Sequence, residues 1–124
     1  MIRAEYVPHE HTLLVRGHAG SGDPGRDLVC AGVSALVLAL REELLQLEEE
    51  GMVNIRRLQL EPGYADIRCD PAARGEGTEL VYDTVVRGLE LLQKLFGEFV
   101  EVRWIPMKSE GELTNPQRAV GPGI

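Results

Sequence analysis

The sequence predicts an α+β fold: a largely antiparallel sheet of about five strands with two helices packed on one face. Five segments have the composition and alternation of strands, and two segments repeat apolar residues at the three- and four-residue spacing of an amphipathic helix. These segments follow one another in the order β-β-α-β-β-α-β. Hairpins separated by single helices favour antiparallel pairing, and both helices can then cover the same face of the sheet.

The first two strands form a predicted hairpin. Ile2, Ala4 and Tyr6 alternate with charged residues, which is typical of a half-buried strand. A second strand is predicted over 12–16, after the polar turn 8–11.

The first helix is predicted to begin at Asp27, which we place at the N-cap, and to end near Gly51. Its apolar stripe comprises Val29, Val33, Leu36, Val37, Leu40, Leu44 and Leu47.

Two further strands are predicted over 53–60 and 64–70, joined by a turn at 61–63. In the second of these strands Cys69 alternates onto the same side as Ala65 and Ile67, so we expect it to be a buried core residue.

A loop over 71–77 leads to the second helix, for which Thr78 is the predicted cap, and a last strand covers 100–105. The stripe of this helix comprises Val81, Val85, Leu89, Leu92, Phe96 and Phe99.

The chain of 124 residues is long enough for one domain, which we expect over 1–105. Residues 106–124 contain three prolines and no periodicity, and we expect a mobile tail there. No apolar run is long enough to span a bilayer and no signal peptide is recognisable, so we expect no membrane association and a cytoplasmic location. The net charge of −7 argues against direct binding of nucleic acid and suits a partner rich in Lys or Arg.

Gly20, Gly22 and Gly25 form a G-x-G-x-x-G pattern, which by itself suggests a dinucleotide site. Such a site rests the pyrophosphate on a helix N-terminus, but Asp23 and Asp27 would place two carboxylates there. The pattern also lies before the predicted helix, and the chain lacks the β-α alternation of a parallel sheet. We therefore interpret the glycines as a mobile loop that a partner can approach closely.

Cys30 falls at the third position of the predicted helix, where unpaired backbone N–H groups and the helix dipole favour a thiolate. His18 ends the preceding strand, and the loop 19–26 can bring the two side chains together. Ser34 follows Cys30 by four residues and shares its helix face. Asp27 could cap the helix or orient His18. Position alone leaves open that Cys30 is simply buried.

At these residues the sequence resembles the ribosomal-processing cysteine protease family, Prp. The resemblance rests on Gly17-His18-Ala19, on the run Asp27-Leu28-Val29-Cys30-Ala31, and on Ser34 in register, and it extends over about 1–105. It implies an endopeptidase that removes an N-terminal extension from a large-subunit ribosomal protein.

By that resemblance Cys30 is the nucleophile, and His18 is first general base and then general acid. Asp27 and Ser34 are supporting residues, and the loop glycines form a lid over the substrate. A cytoplasmic homodimer is also implied.

The main alternative is a non-catalytic binding or assembly factor for a basic ribosomal protein. A metal site built from His9, His11, His18 and the cysteines lacks compact ligand spacing, so we expect no metal and no cofactor. A redox role is not supported, because no second cysteine lies close to Cys30 in the sequence. A serine hydrolase centred on Ser34 is not supported either, because the chain lacks a nucleophile-elbow motif.

Overall fold

The computed structural model describes residues 1–18, 24–72 and 77–106. The strands are β1 (Ile2–Val7), β2 (Thr12–Arg16), β3 (Val53–Glu61), β4 (Tyr64–Pro71) and β5 (Val100–Trp104), and the helices are α1 (Pro24–Glu49) and α2 (Thr78–Leu95). A single 3-10 turn, Pro8–Glu10, joins β1 to β2. The predictions for Gly20 and Gly22, and for the tail beyond 106, lie outside the described residues.

The five strands form one sheet in the order β3-β4-β2-β1-β5. Neighbouring strands are antiparallel except for β1 and β5, which run parallel. β4 runs in the same direction as β1 and β5, and α2 is the crossover that carries the chain from β4 past β2 and β1 to β5. The predicted α+β fold and element order are confirmed.

The core lies between the sheet and the two helices. Tyr6 of β1 and Tyr82 of α2 have no exposed surface and stack with ring centroids 5.8 Å apart, and Trp104 of β5 packs edge-on against Tyr6 at 4.9 Å. The predicted stripe of α2 omitted Tyr82 and Val86, which are both fully buried. The buried face of α2 is therefore wider than the predicted stripe.

Both helix starts differ from the predictions. α1 begins at Pro24, so Asp27 lies inside its first turn and is not the N-cap, and Gly25 is helical where a loop was expected. Proline suits this position because the amide it lacks would have no helical partner there. Thr78 is the first residue of α2 and is buried, while Gly77 is the N-cap.

The C-terminal end of α1 is as predicted. Gly51 has a φ of +75°, its N–H donates to the carbonyl of Glu48, and that of Met52 donates to the carbonyl of Leu47. This pair of hydrogen bonds is the Schellman arrangement that ends a helix at glycine.

α1 and α2 approach closely because a glycine on each helix lies under a leucine of the other. A Cβ on Gly32 would lie 3.2 Å from Cδ1 of Leu92, and a Cβ on Gly88 would lie 2.7 Å from Cδ2 of Leu36. A side chain at either position would have to displace the leucine that faces it.

Each edge strand of the sheet has a backbone amide that is bound by a helix side chain. On β3 the N–H of Ile55 donates to Oε2 of Glu48 at 2.8 Å. On β5 the N–H of Val102 donates to Oε1 of Gln93 at 2.6 Å.

The face of the sheet opposite the helices contains a buried carboxylate. Asp66 of β4 is 1% exposed and accepts two hydrogen bonds from Arg68, at 2.7 and 2.9 Å, and one from the hydroxyl of Tyr64 at 3.3 Å. Arg57 of β3 lies 3.8 Å from the same carboxylate. Asp66, Arg68, Tyr64 and Arg57 therefore form one connected polar cluster on this face.

Candidate active site

The end of β2, the first half of α1 and the turn between β3 and β4 enclose a cavity of about 510 Å³. Its polar lining includes His18, Cys30, Ser34, Glu61 and Tyr64. The apolar wall comprises Ile2, Val15, Val33, Val37, Leu38, Leu60 and Ala65. An apolar cleft with a few convergent polar groups is typical of a binding site.

The two cysteines have different environments. Cys30 is half-buried and lines the cavity. Cys69 has no exposed surface, as predicted, and burial raises the pKa of its thiol. Of the two thiols, only that of Cys30 is therefore open to an approaching substrate.

The prediction that Cys30 lies in the first turn of the helix is wrong. Because α1 begins at Pro24, Cys30 is its seventh residue. The unpaired N–H groups at the start of a helix belong to its first four residues, one turn before Cys30, and the effect of the dipole fades beyond that turn. The helix start therefore contributes less to a thiolate at Cys30 than the sequence indicated.

The backbone at His18 is fixed by neighbours on both sides. Gly17 has a φ of +103°, its N–H donates to the carbonyl of Gly63 at 2.9 Å, and the amino group of Met1 donates to the carbonyl of His18 at 3.0 Å. A Cβ on Gly17 would collide with the carbonyl oxygen of Met1. Only glycine fits before His18 without moving this backbone.

The structure brings His18, Cys30 and Ser34 to one cavity but leaves Asp27 outside its lining. Asp27 is exposed in the first turn of α1, where a carboxylate is favourable to the helix dipole. Within the described part of the chain, no hydrogen bond joins His18 to Cys30 or to Asp27. Orientation of His18 by Asp27 stays a prediction.

The sequence did not indicate that the turn between β3 and β4 belongs to the site. Its residues Pro62 and Gly63 line the cavity, and the ring of His18 lies against Gly63. The pattern Glu61-Pro62-Gly63 predicted the turn but not its neighbours. Its position follows from the pairing of Arg16 at the end of β2 with Tyr64 at the start of β4.

Over 1–18, 24–72 and 77–106, no group of three metal-ligating side chains is found. None of the helices described is long and apolar enough to cross a membrane.

The family model described as Cysteine protease Prp matches residues 1–101. Among solved structures, SMU.848 from Streptococcus mutans is 27% identical, with a TM-score of 0.66 over 86% of this chain and 96% of that one. The essential ribosomal processing protease Prp from S. aureus, in complex with a covalently linked product peptide, is 20% identical, with a TM-score of 0.66 over 85% of this chain and 100% of that one. The same S. aureus protease with a substrate peptide is 18% identical, with the same TM-score and coverage. No curated protein matches the chain.

Proposed function

Because this chain belongs to the cysteine protease Prp family, we propose that it is an endopeptidase that removes the N-terminal extension of a large-subunit ribosomal protein. Cys30 is the proposed nucleophile and His18 the general base and acid. The observation that carries this proposal is the separation of the two thiols: Cys30 shares a cavity with His18, whereas Cys69 is enclosed in the core.

The proposed reaction is acyl transfer. The sulfur of Cys30 attacks the scissile carbonyl as His18 takes up the thiol proton, and His18 then gives that proton to the departing amine. Water, activated by His18, attacks the thioester carbonyl, which releases the carboxylate product and returns the proton to the thiol. Ser34, one helical turn after Cys30, is the proposed supporting hydroxyl.

Charge and the S. aureus structures support the substrate class. The S. aureus protein is a ribosomal processing protease. A ribosomal protein binds anionic RNA and is basic, and the net charge of −7 on this chain is complementary to such a substrate. We propose that the reaction takes place in the cytoplasm, and the homodimer implied by the resemblance stays a prediction.

Mass analysis of the ribosomal-protein precursor from the same genome, incubated with wild type and variants, tests the proposal. We expect cleavage by wild type, none by Cys30→Ala, and a loss of roughly 100-fold or more for His18→Ala. Cys69→Ala is the matched control: it should cleave normally and lose about 1–2 kcal/mol of stability from the smaller core residue. Cleavage by Cys30→Ala would refute the assignment of the nucleophile. Tight binding of the precursor without cleavage by wild type would favour an assembly factor.

A further inference from the structure

We propose that Gly63, in the turn between β3 and β4, is a positioning residue for His18: the absence of a side chain at Gly63 sets where the imidazole ring lies in the cavity. This inference rests on the proposed function, in which His18 transfers protons to and from Cys30. Gly63 itself touches neither the substrate nor the thiol in this role. It acts through the ring of His18.

The ring of His18 occupies the space that a side chain at Gly63 would need. A Cβ on Gly63 would lie 2.6 Å from Cε1 and 3.0 Å from Cδ2 of His18, and closer still to Nε2. The three atoms are Nε2 and the two ring carbons bonded to it, so the contact is with the Nε2 end of the imidazole ring. A methyl group at Gly63 therefore has to displace the ring or the turn.

The backbone of the turn is tied to the residue that precedes His18. The N–H of Gly17 donates to the carbonyl of Gly63 at 2.9 Å, directly after the paired residues Arg16 and Tyr64. Gly63 therefore cannot move away from His18 without breaking a hydrogen bond at the end of the sheet. A side chain at Gly63 should therefore displace the imidazole ring of His18 rather than the turn.

Turn geometry alone also favours glycine at this position. Gly63 has a φ of +77° and follows Pro62, as expected for the second central residue of a type II turn. Asparagine tolerates this backbone region better than other residues that carry a Cβ. An asparagine therefore satisfies most of the turn requirement but still places a Cβ against His18, and the two explanations can be separated.

Gly51 provides a matched control. Its φ is +75°, and a Cβ there would meet no atom within 4 Å. Gly51→Ala thus introduces an alanine at nearly the same positive φ as Gly63→Ala, at a residue that does not line the cavity. Gly63→Asn, Gly63→Ala and Gly51→Ala together distinguish strain from displacement of the ring.

The experiment measures kcat and KM for the ribosomal-protein precursor, melting temperature, and the imidazole proton resonances of His18, assigned by comparison with His18→Ala. Gly63→Asn should melt close to wild type, yet its kcat should fall roughly 10- to 100-fold with a smaller change in KM. Its His18 resonances and the pH profile of kcat/KM should shift. Gly51→Ala should lose stability but keep wild-type kcat and His18 resonances.

Wild-type kcat together with unshifted His18 resonances in Gly63→Asn would overturn the inference. If wild type does not cleave the precursor, the proposed function fails. The His18 resonances still test the role of Gly63 in that case. Unshifted His18 resonances in both Gly63 variants would refute the inference that Gly63 positions the ring.

Discussion

Asp66 is a buried carboxylate on the face of the sheet opposite the helices, and its charged form is stabilised by the side chains around it. Burial by itself disfavours the carboxylate, but the hydrogen bonds and charge of Arg68, together with the Tyr64 hydroxyl and the charge of Arg57, outweigh burial and hold the pKa of Asp66 below its usual 3.8. A carboxyl group whose pKa is lower in the folded state stabilises the fold above its unfolded pKa. That stabilisation is lost as pH falls through the folded value.

We therefore expect Asp66→Asn to lower the free energy of unfolding by about 2 kcal/mol at pH 7, since it weakens a hydrogen-bonded ion pair. The difference from wild type should shrink below pH 4. Urea unfolding at several pH values measures it, with Glu43→Gln as the control, because Glu43 is exposed on α1. An equal difference at pH 7 and pH 2 would contradict this account.

Single residues were predictable from the sequence where a local pattern determines their environment. Cys69 alternates with Ala65 and Ile67 on one strand, so its burial could be predicted. The contact between His18 and Gly63 could not, because it depends on which strands become neighbours in the sheet. The turn sequence specifies a backbone conformation and contains no information about what packs against it.

At the scale of the elements, the close contact between α1 and α2 makes an unusual prediction for Gly88→Ala. Alanine is favoured over glycine within a helix by about 1 kcal/mol. Here, however, the new methyl group would lie 2.7 Å from Leu36. We expect the variant to be destabilised by about 1–2 kcal/mol, as measured by urea unfolding.

Removing the side chain of Leu36 should reverse the effect of Gly88→Ala on stability. In a Leu36→Ala background, Gly88→Ala should stabilise the protein by up to about 1 kcal/mol, because only the helix preference remains. Destabilisation of equal size in both backgrounds would mean that Leu36 does not limit the approach of the helices.

Helix faces could be predicted better than helix ends. The spacing of apolar residues identified the buried side of α1, but Asp27 was taken as the N-cap because aspartate is a preferred residue at that position. Pro24 and Gly25 are instead in the first turn. That shift of one turn changes the chemical environment expected for Cys30, which lines the cavity from the second turn of the helix.

At the scale of the whole molecule, the order of the strands and the parallel pairing of β1 with β5 could not be predicted from the sequence pattern. The two hairpins could be predicted locally, whereas the pairing of β2 with β4 and of β1 with β5 joins distant segments. The pairing of β2 with β4 builds the site, because it brings the end of β2 beside the turn that contains Gly63.

The net charge of −7 makes a prediction for the whole protein acting on its substrate. Attraction between an acidic enzyme and a basic precursor is screened by salt. We expect kcat/KM for the intact precursor to fall several-fold between about 0.05 and 0.5 M NaCl, chiefly through KM. A short uncharged peptide that spans the cleavage site should show little change. Equal salt dependence for both substrates would indicate that long-range attraction makes no contribution.

The side chains of Glu48 and Gln93, which bind one amide on each outer strand, have a further consequence. An unpaired strand edge is a template for other extended chains, and copies of a protein that join edge to edge can grow into fibrils. Any chain that adds to β3 or β5 must first displace the hydrogen bond at Ile55 or Val102. These two contacts therefore oppose the first step of such polymerisation, the addition of a second copy at either edge of the sheet.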